Sequence, residues 1–114
     1  MLHATQRFHG HGSLKYLFKN GGMVRSHYFT LKYHPNSRRS NSRFAVIVSK
    51  KIHKSAVGRN RIRRRMYELL RHEQPNLSEV HDIAVIVTSG EVLAADSDKL
   101  RAALRDLMKQ AGLI

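Results

Sequence analysis

The chain contains no cysteine, so neither a disulfide framework nor a thiolate zinc site is possible. Residues 1–12 contain no apolar run that resembles a signal peptide, because they are rich in His, Gln, Arg and Gly. The longest strongly apolar stretch, residues 83–87, is too short to span a membrane. These absences predict a soluble cytoplasmic protein, and 114 residues are enough for one domain with a single modest core.

Acidic residues are absent from the first 67 positions, and all eight Asp and Glu residues lie between Glu68 and Asp106. Sixteen of the 21 Lys and Arg residues precede Glu68, so residues 1–67 carry a formal charge of +16. The remainder has five basic and eight acidic residues, a formal charge of −3. So one-sided a charge is best explained by a polyanionic partner. Nucleic acid is the leading candidate, because phosphate contacts by Arg and Lys supply most sequence-independent affinity.

The apolar periodicity predicts elements in the order α-β-β-α-β-α. Helices are expected over residues 13–20, 55–71 and 97–111, and strands over residues 27–33, 43–49 and 81–88. The first two strands flank a polar turn and are expected to form a hairpin. The third has a continuous apolar run, which is typical of a central strand buried on both faces. The pattern predicts a single α+β domain over residues 13–114, with helices packed on one mainly antiparallel sheet, after a flexible lead-in over residues 1–12.

The segment 59–65 places five arginines in seven positions of the second helix. Ile62, Met66, Leu69 and Leu70 fall within an arc of about 100°, which predicts a buried face. The opposite side carries Asn60, Arg61, Arg64, Tyr67, Glu68 and Arg71. The planar guanidinium of Arg can bind phosphate oxygens bidentately, so a rigid helix would present several such groups together. The alternative is a solvated basic face or a polybasic targeting tract.

Aromatic residues are interleaved with this charge between positions 16 and 33: Tyr16, Phe18, Tyr28, Phe29 and Tyr33. Stacking on such rings is worth about 1–3 kcal/mol per base and tolerates any base. Strand alternation puts Phe29 beside Leu31 on the core face. It puts Tyr28 with Thr30 and Lys32 on the other face, where an exposed groove is expected. The pattern leaves both roles open for Phe18.

No residue pattern in the chain indicates protein-based catalysis. A phosphate-binding loop, a nucleophile elbow and an acid/base pair are all missing from the sequence. His9-Gly10-His11 has no third ligand at a helical or hairpin spacing, so metal binding is not predicted. Asp96 or Ser97 is expected to cap the last helix, and the start of a helix favours acidic residues, which explains Asp96 and Asp98. The chain is therefore predicted to be a binder rather than a catalyst.

Residues 48–64 resemble the protein subunit of bacterial ribonuclease P. The resemblance rests on a strand that ends in Ser49-Lys50-Lys51, a short connection, and a helix that continues Arg59-Asn60-Arg61-Ile62-Arg63-Arg64. It extends over roughly residues 7–113. It implies a small basic protein bound to a large catalytic RNA, in an assembly that removes the 5′ leader from precursor tRNA by metal-assisted phosphodiester hydrolysis. It also implies a left-handed β-α-β crossover, which is rare among folds.

In this family the RNA holds the catalytic Mg²⁺ ions, so the protein alone is expected to be inactive. The partners implied are the ribonuclease P RNA and precursor tRNA, with one copy of the protein per catalytic RNA and a monomer in the free state. A membrane and a small-molecule substrate are not expected. No residue of this chain is predicted to be catalytic or to bind a metal.

Matching motif positions assign two surfaces. The surface facing the catalytic RNA comprises Arg59, Asn60, Arg61, Arg63 and Arg64, to which the charge pattern adds Arg65 and Lys54. The cleft for the single-stranded leader comprises Phe18, Ser49, Lys50 and Lys51, to which the strand pattern adds Tyr28 and Lys32. Three positions depart from the family: Leu14 and Lys32 stand where aromatic residues are frequent, and Tyr67 replaces a frequent basic residue.

Three other function classes compete with this prediction. A structural RNA-binding protein, such as a ribosomal or assembly component, would share the charge but would not stimulate leader removal. A DNA-binding protein would place the arginine helix in a major groove, but there is no helix-turn-helix spacing, and many arginines with few amides favour backbone contacts. A protein-only nuclease would need clustered carboxylates to hold metal ions.

Overall fold

The computed structural model describes residues 11–36 and 38–114, and of residues 11–13 the backbone only. These residues form three α-helices and four strands, with two short 3₁₀ turns at Gln74–Asn76 and Gly90–Leu93. The helices are α1 (His11–Asn20), α2 (Ala56–Glu73) and α3 (Ser97–Gln110). The strands are β1 (Gly22–Arg25), β2 (Phe29–Pro35), β3 (Arg43–Ile47) and β4 (His81–Val87). Residues 1–10 of the predicted lead-in lie outside the described residues, whereas residues 11 and 12 begin α1.

The four strands form one mixed sheet in the order β1-β2-β4-β3. β2 is antiparallel to both β1 and β4, whereas β3 is parallel to β4. The predicted hairpin between β2 and β3 is therefore wrong, because β4 lies between them. Burying the apolar run of β4 between two strands gains more free energy than pairing β2 directly with β3 would. The short polar connection between β2 and β3 therefore does not form a hairpin. β3, α2 and β4 form a parallel β-α-β unit, and its left-handed crossover stays a prediction.

The strand that forms a hairpin with β2 is β1, which the apolar periodicity did not predict. β1 has only four residues, and it joins β2 through a tight turn in which the Ser26 amide donates to the Phe29 carbonyl over 2.9 Å. So short a segment has no alternation strong enough to predict a strand. Its pairing with β2 places Met23 opposite Lys32 and Arg25 opposite Thr30.

The amphipathic pattern of α2 is confirmed. Ser55 caps the helix by accepting a hydrogen bond from the Gly58 amide, as the side chain of an N-cap residue does. The four predicted apolar positions, Ile62, Met66, Leu69 and Leu70, are all buried. The helix runs two residues past its predicted end and stops where Gln74-Pro75 begins a 3₁₀ turn.

The core lies mainly on one face of the sheet, between the strands and helices α2 and α3. Phe29, Leu31, Phe44, Ile83 and Val85 are fully buried there. α3 contributes Leu100, Leu104, Leu107 and Met108 after the predicted cap at Asp96, and Gly112 ends it with a φ of 74°.

The opposite face of the sheet is covered by α1. Leu17 is buried against Ala45 and Ala84 of the two parallel strands, and Leu14 packs beside them. These small side chains let the helix approach the sheet closely. β4 is therefore flanked by two strands, as predicted, and Ala84 is buried on the α1 face, whereas Asp82 and Ile86 on that face are only partly buried. No helix within residues 11–36 and 38–114 is long and apolar enough to cross a membrane.

Candidate nucleic-acid interface

Three rows of side chains cross the sheet face that α1 covers, and the strand register defines them. The middle row is Lys32, Ala84 and Ala45. It lies beneath α1, because Leu17 packs on the two alanines and Lys32 Nζ donates to the Phe18 carbonyl oxygen over 3.1 Å. The helix therefore divides this face into two separate shelves.

The first shelf is apolar and consists of Thr30, Ile86 and Ile47, which are paired across β2, β4 and β3. The two isoleucines are only half-buried, so they form a partly open floor. Arg25 of β1 extends this row at its edge. Arg25 is not predictable as a candidate from the sequence, because only the pairing of β1 with β2 brings it here.

The apolar shelf lies at the sheet end where β3 leaves for α2. Ser49, Lys50 and Lys51 lie just beyond β3, after the buried Val48, and are exposed. The Ser49 carbonyl accepts hydrogen bonds from the amides of Ile52 and His53, which shapes the segment into a turn. Phe18, 40% exposed on α1, lies beside Lys32 on the same face. The structure thus brings Phe18 and Lys32 to this face of the sheet, and Ser49, Lys50 and Lys51 to this end of it.

Tyr28 is the exception. It precedes β2 in the β1–β2 turn. The strand alternation that predicted which face of the sheet its side chain occupies therefore does not apply to it. Its ring is half-buried, packs against the main core, and lies edge-on to His27 at 5.2 Å. The Tyr28 carbonyl accepts from the Thr88 amide over 2.9 Å. Tyr28 is therefore at the correct end of the sheet but is not on the face with Thr30 and Lys32.

The exposed side of α2 carries Asn60, Arg61 and Arg64. The guanidinium groups of Arg61 and Arg64 make no hydrogen bond or ion pair with another residue in the described ranges. Arg63 Nη2 donates to Asn60 Oδ1 over 2.5 Å, which fixes both side chains along the helix. This surface presents several guanidinium donors on a rigid support, the arrangement that suits phosphate binding.

Two of the predicted RNA-binding arginines donate hydrogen bonds to backbone carbonyls of the protein. Arg59 Nη1 donates to the carbonyls of His53 and Lys54, at 3.0 and 2.9 Å, and so braces the connection before α2. Arg65 donates to backbone carbonyls of the second 3₁₀ turn and of the segment that follows it, as well as to Ser97 Oγ. Those carbonyls are Val92, Leu93 and Ala95. Sequence patterns cannot reveal contacts with backbone about 30 residues away.

Glu68 interrupts the positive charge of the α2 surface. Arg71 donates to its carboxylate over 2.6 Å, and this hydrogen bond lowers the pKa of Glu68 to about 2. Glu68 lies four positions after Arg64, on the same helical side. It is the first acidic residue of the chain, and its carboxylate opposes anion binding nearby.

The three departures from the family pattern have structural explanations. Leu14 is half-buried against the small core beneath α1 and supplies packing. Tyr67, predicted on the exposed side of α2, instead packs against the main core, and its hydroxyl accepts from the Val46 amide over 3.2 Å. Lys32 ties β2 to α1 through the Phe18 carbonyl.

Within the described ranges, no group of three His, Asp or Glu side chains could hold a metal ion. The His9-Gly10-His11 segment lies outside the residues whose side chains are described. Asp96 has the predicted capping role, because its carboxylate accepts from the Asp98 amide over 2.9 Å. Asp96 and Asp98 are therefore explained by the start of α3.

Known proteins resemble this chain over most of its length. The family model for ribonuclease P matches residues 2–112. The ribonuclease P protein component of Caldanaerobacter subterraneus is 35% identical over 112 residues, covering 98% of this chain and 89% of that protein. That of Chloroflexus aggregans is 34% identical over 96 residues, covering 84% and 70%.

Solved structures share the fold. The ribonuclease P protein from Thermotoga maritima superposes with a TM-score of 0.80 at 26% identity, covering 91% of this chain and 96% of that one. The Staphylococcus aureus protein superposes with a TM-score of 0.82 at 23% identity, covering 95% and 96%. The chain therefore belongs to the ribonuclease P protein family, whose members are the protein subunits of a tRNA-processing ribonucleoprotein endoribonuclease.

Proposed function

We propose that this chain binds the catalytic RNA of ribonuclease P through the exposed side of α2, and the 5′ leader of precursor tRNA along the apolar shelf. The observation that carries the proposal is the position of Arg61 and Arg64. Both project from a rigid helix and have no partner within the described residues. Lys50 and Lys51, which lead into that helix, lie at the end of the sheet where the apolar shelf ends.

Binding to the catalytic RNA is mainly electrostatic in this proposal. Each phosphate that Arg61, Arg64 or Lys54 neutralises releases condensed counterions, which makes the affinity strongly salt-dependent. Arg63 and Asn60 act as a hydrogen-bonded pair beside them. Arg59 and Arg65 contribute indirectly, because they brace the two ends of the surface through backbone carbonyls.

The leader would bind as an extended single strand. Phe18 offers a partly exposed ring for stacking a base, and Ile47 and Ile86 offer apolar contact. Arg25, Lys50 and Lys51 surround this shelf with positive charge for the phosphates. Stacking combined with backbone charge tolerates any base sequence, as an assembly that processes many tRNAs requires.

The Mg²⁺ ions of the reaction are assigned to the RNA in this proposal. Phosphodiester hydrolysis with metal ions needs oxygen ligands that are free to coordinate them. In the described part of the chain, Asp82 is bound to Arg43 and Asn36, and Glu68 to Arg71. We propose one copy of the protein per catalytic RNA, monomeric when free and acting in the cytoplasm.

Reconstitution tests the proposal. The purified chain is added to a bacterial ribonuclease P RNA and precursor tRNA at low Mg²⁺, and 5′ maturation is followed under single-turnover conditions. We expect cleavage that depends on the protein, and tighter binding of precursor tRNA than of mature tRNA. The Arg61→Ala/Arg64→Ala double variant should lose the stimulation, whereas Lys109→Ala on α3, the charge control, should retain it. Unchanged cleavage on adding the wild-type chain would instead favour a purely structural RNA-binding protein.

A further inference from the structure

The second shelf on the α1 face is polar and has a rigid floor. It is the row His34, Asp82 and Arg43, on the far side of α1 from the apolar shelf. Arg43 Nε and Nη2 donate to the two Asp82 oxygens over 2.9 and 2.7 Å, and Asn36 Nδ2 donates over 2.9 Å. Both members of the ion pair are largely buried. Arg43 therefore neutralises the charge of Asp82 within the floor. The floor is rigid because its side chains come from the ends of β2, β4 and β3.

One wall of this shelf is aromatic. Tyr16 projects from α1 with 59% of its surface exposed and meets His34 edge-on, with ring centroids 5.5 Å apart and planes at 76°. His34 Nδ1 lies 2.7 Å from the Pro35 carbonyl oxygen, so Nδ1 carries the proton and donates, which fixes the imidazole. This contact supports the Tyr16 ring on one side and leaves most of it open to solvent. Such a ring can accept a stacked base.

The rim is basic. Arg38 and Arg39 follow β2 and are exposed, and the Arg39 amide donates to the Asn36 carbonyl. Within the described ranges their guanidinium groups have no hydrogen-bond or ion-pair partner. The same concavity is lined by the aromatic wall, by these two arginines and by the Arg43–Asp82 floor. An aromatic ring beside unpaired guanidinium groups is the combination by which proteins bind single-stranded nucleic acid.

We propose that this concavity, the Tyr16 pocket (Tyr16, His34, Arg38, Arg39 and the Arg43–Asp82 floor), binds one nucleotide of single-stranded RNA. The base stacks on Tyr16, and Arg38 and Arg39 bind its phosphates. The proposal deepens the proposed function, because it adds a second contact on the α1 face beyond the apolar shelf. The nucleotide comes either from a long 5′ leader or from an unpaired segment of the catalytic RNA, and the experiment separates these sources.

The test uses the reconstituted holoenzyme with precursor tRNAs that carry a short or a long unstructured leader. Tyr16→Ala should weaken binding about tenfold, within the range for loss of one stacked base. Tyr16→Phe keeps the ring and should bind as the wild type does. Weakening for the long leader alone identifies the leader as the source. Equal weakening for both leaders, with a matching loss of affinity for the catalytic RNA alone, identifies the catalytic RNA. Unchanged binding of both partners overturns the proposal.

A second measurement distinguishes loss of RNA binding from misfolding of a variant. It also tests this proposal independently of the proposed function. An unstructured RNA oligonucleotide is titrated into the wild-type chain, and the side-chain NMR signals of Tyr16 and His34 are followed. They should shift in the wild type and in Phe18→Ala, but remain in place in Arg38→Ala/Arg39→Ala. If these signals do not shift in the wild type, the Tyr16 pocket does not bind RNA, even when Arg61 and Arg64 prove essential for stimulating cleavage. If they shift while the Arg61→Ala/Arg64→Ala variant still stimulates cleavage, the pocket stands and the α2 surface fails.

Discussion

Arg65 Nη1 donates a hydrogen bond of 2.8 Å to the carbonyl oxygen of Val92, a residue that is itself fully buried. This contact joins the arginine-rich helix to the segment that precedes α3. It distinguishes Arg65 from Arg61 and Arg64, which are exposed and have no partner within the described residues. Residues 59–65 thus contain both arginines that stabilise the fold and arginines available to RNA.

The first prediction concerns this difference. Arg65→Met should lower the free energy of unfolding by about 1–3 kcal/mol, because several carbonyls lose a charged donor. Urea denaturation of the free protein measures the change. The salt dependence of RNA binding should stay as in the wild type, provided that the assay is run well below the denaturation midpoint. A variant of full stability would contradict the assignment.

Arg61 and Arg64 should show the opposite behaviour. Replacing either with alanine should leave stability nearly unchanged, because both side chains are exposed and unpaired within the described residues. RNA affinity should fall, and the slope of log K against log salt should become shallower by about 0.7–0.9 for each phosphate that the variant no longer neutralises. Filter binding across a salt series measures this, with Lys109→Ala as the charge-matched control. A slope equal to that of the wild type in both variants would exclude this helix as the phosphate-binding surface.

Phe18 should discriminate substrates by their leader. Phe18→Ala should weaken binding of precursor tRNA by about tenfold through loss of one stacked base, and leave mature tRNA unaffected. Phe18→Tyr retains the ring and serves as the matched control. Binding of both tRNAs to the holoenzyme measures the ratio. An equal loss for the two tRNAs would assign Phe18 to packing rather than to the leader.

Glu68 should limit RNA affinity. Glu68→Gln removes the negative charge four positions after Arg64 and releases Arg71, so binding to the catalytic RNA should tighten, most visibly at low salt.

The pH dependence of stability that Glu68 causes has a definite sign. Because Arg71 lowers the folded pKa of Glu68 from 4.5 to about 2, the pair stabilises the fold above about pH 4.5 and loses that effect as the pH falls toward 2. In the glutamine variant, stability should vary less over this window, as acid denaturation would measure; unchanged RNA affinity would argue against a role for this carboxylate.

Much of the fold follows from local patterns. The apolar stripe of α2, the caps at Ser55 and Asp96, and the central run of β4 depend on periodicity and on short-range hydrogen bonds, which the order of residues specifies directly. The neighbours of each strand in the sheet do not follow from local patterns. β4 separates β2 from β3, and β1 forms an additional strand, because sheet pairing is decided by burial among segments distant in the chain.

Charge and period are properties of the residue order, so they suffice to predict a strongly basic N-terminal part with an arginine helix next to a Ser-Lys-Lys strand end. The role of each side chain depends on the folded arrangement. Arg65 reaches carbonyls beyond position 90, Tyr67 binds the backbone of β3, and Tyr16 meets His34 across the sheet. Each of these contacts depends on two segments meeting in space, where distance and burial rather than residue type determine which donors remain for RNA.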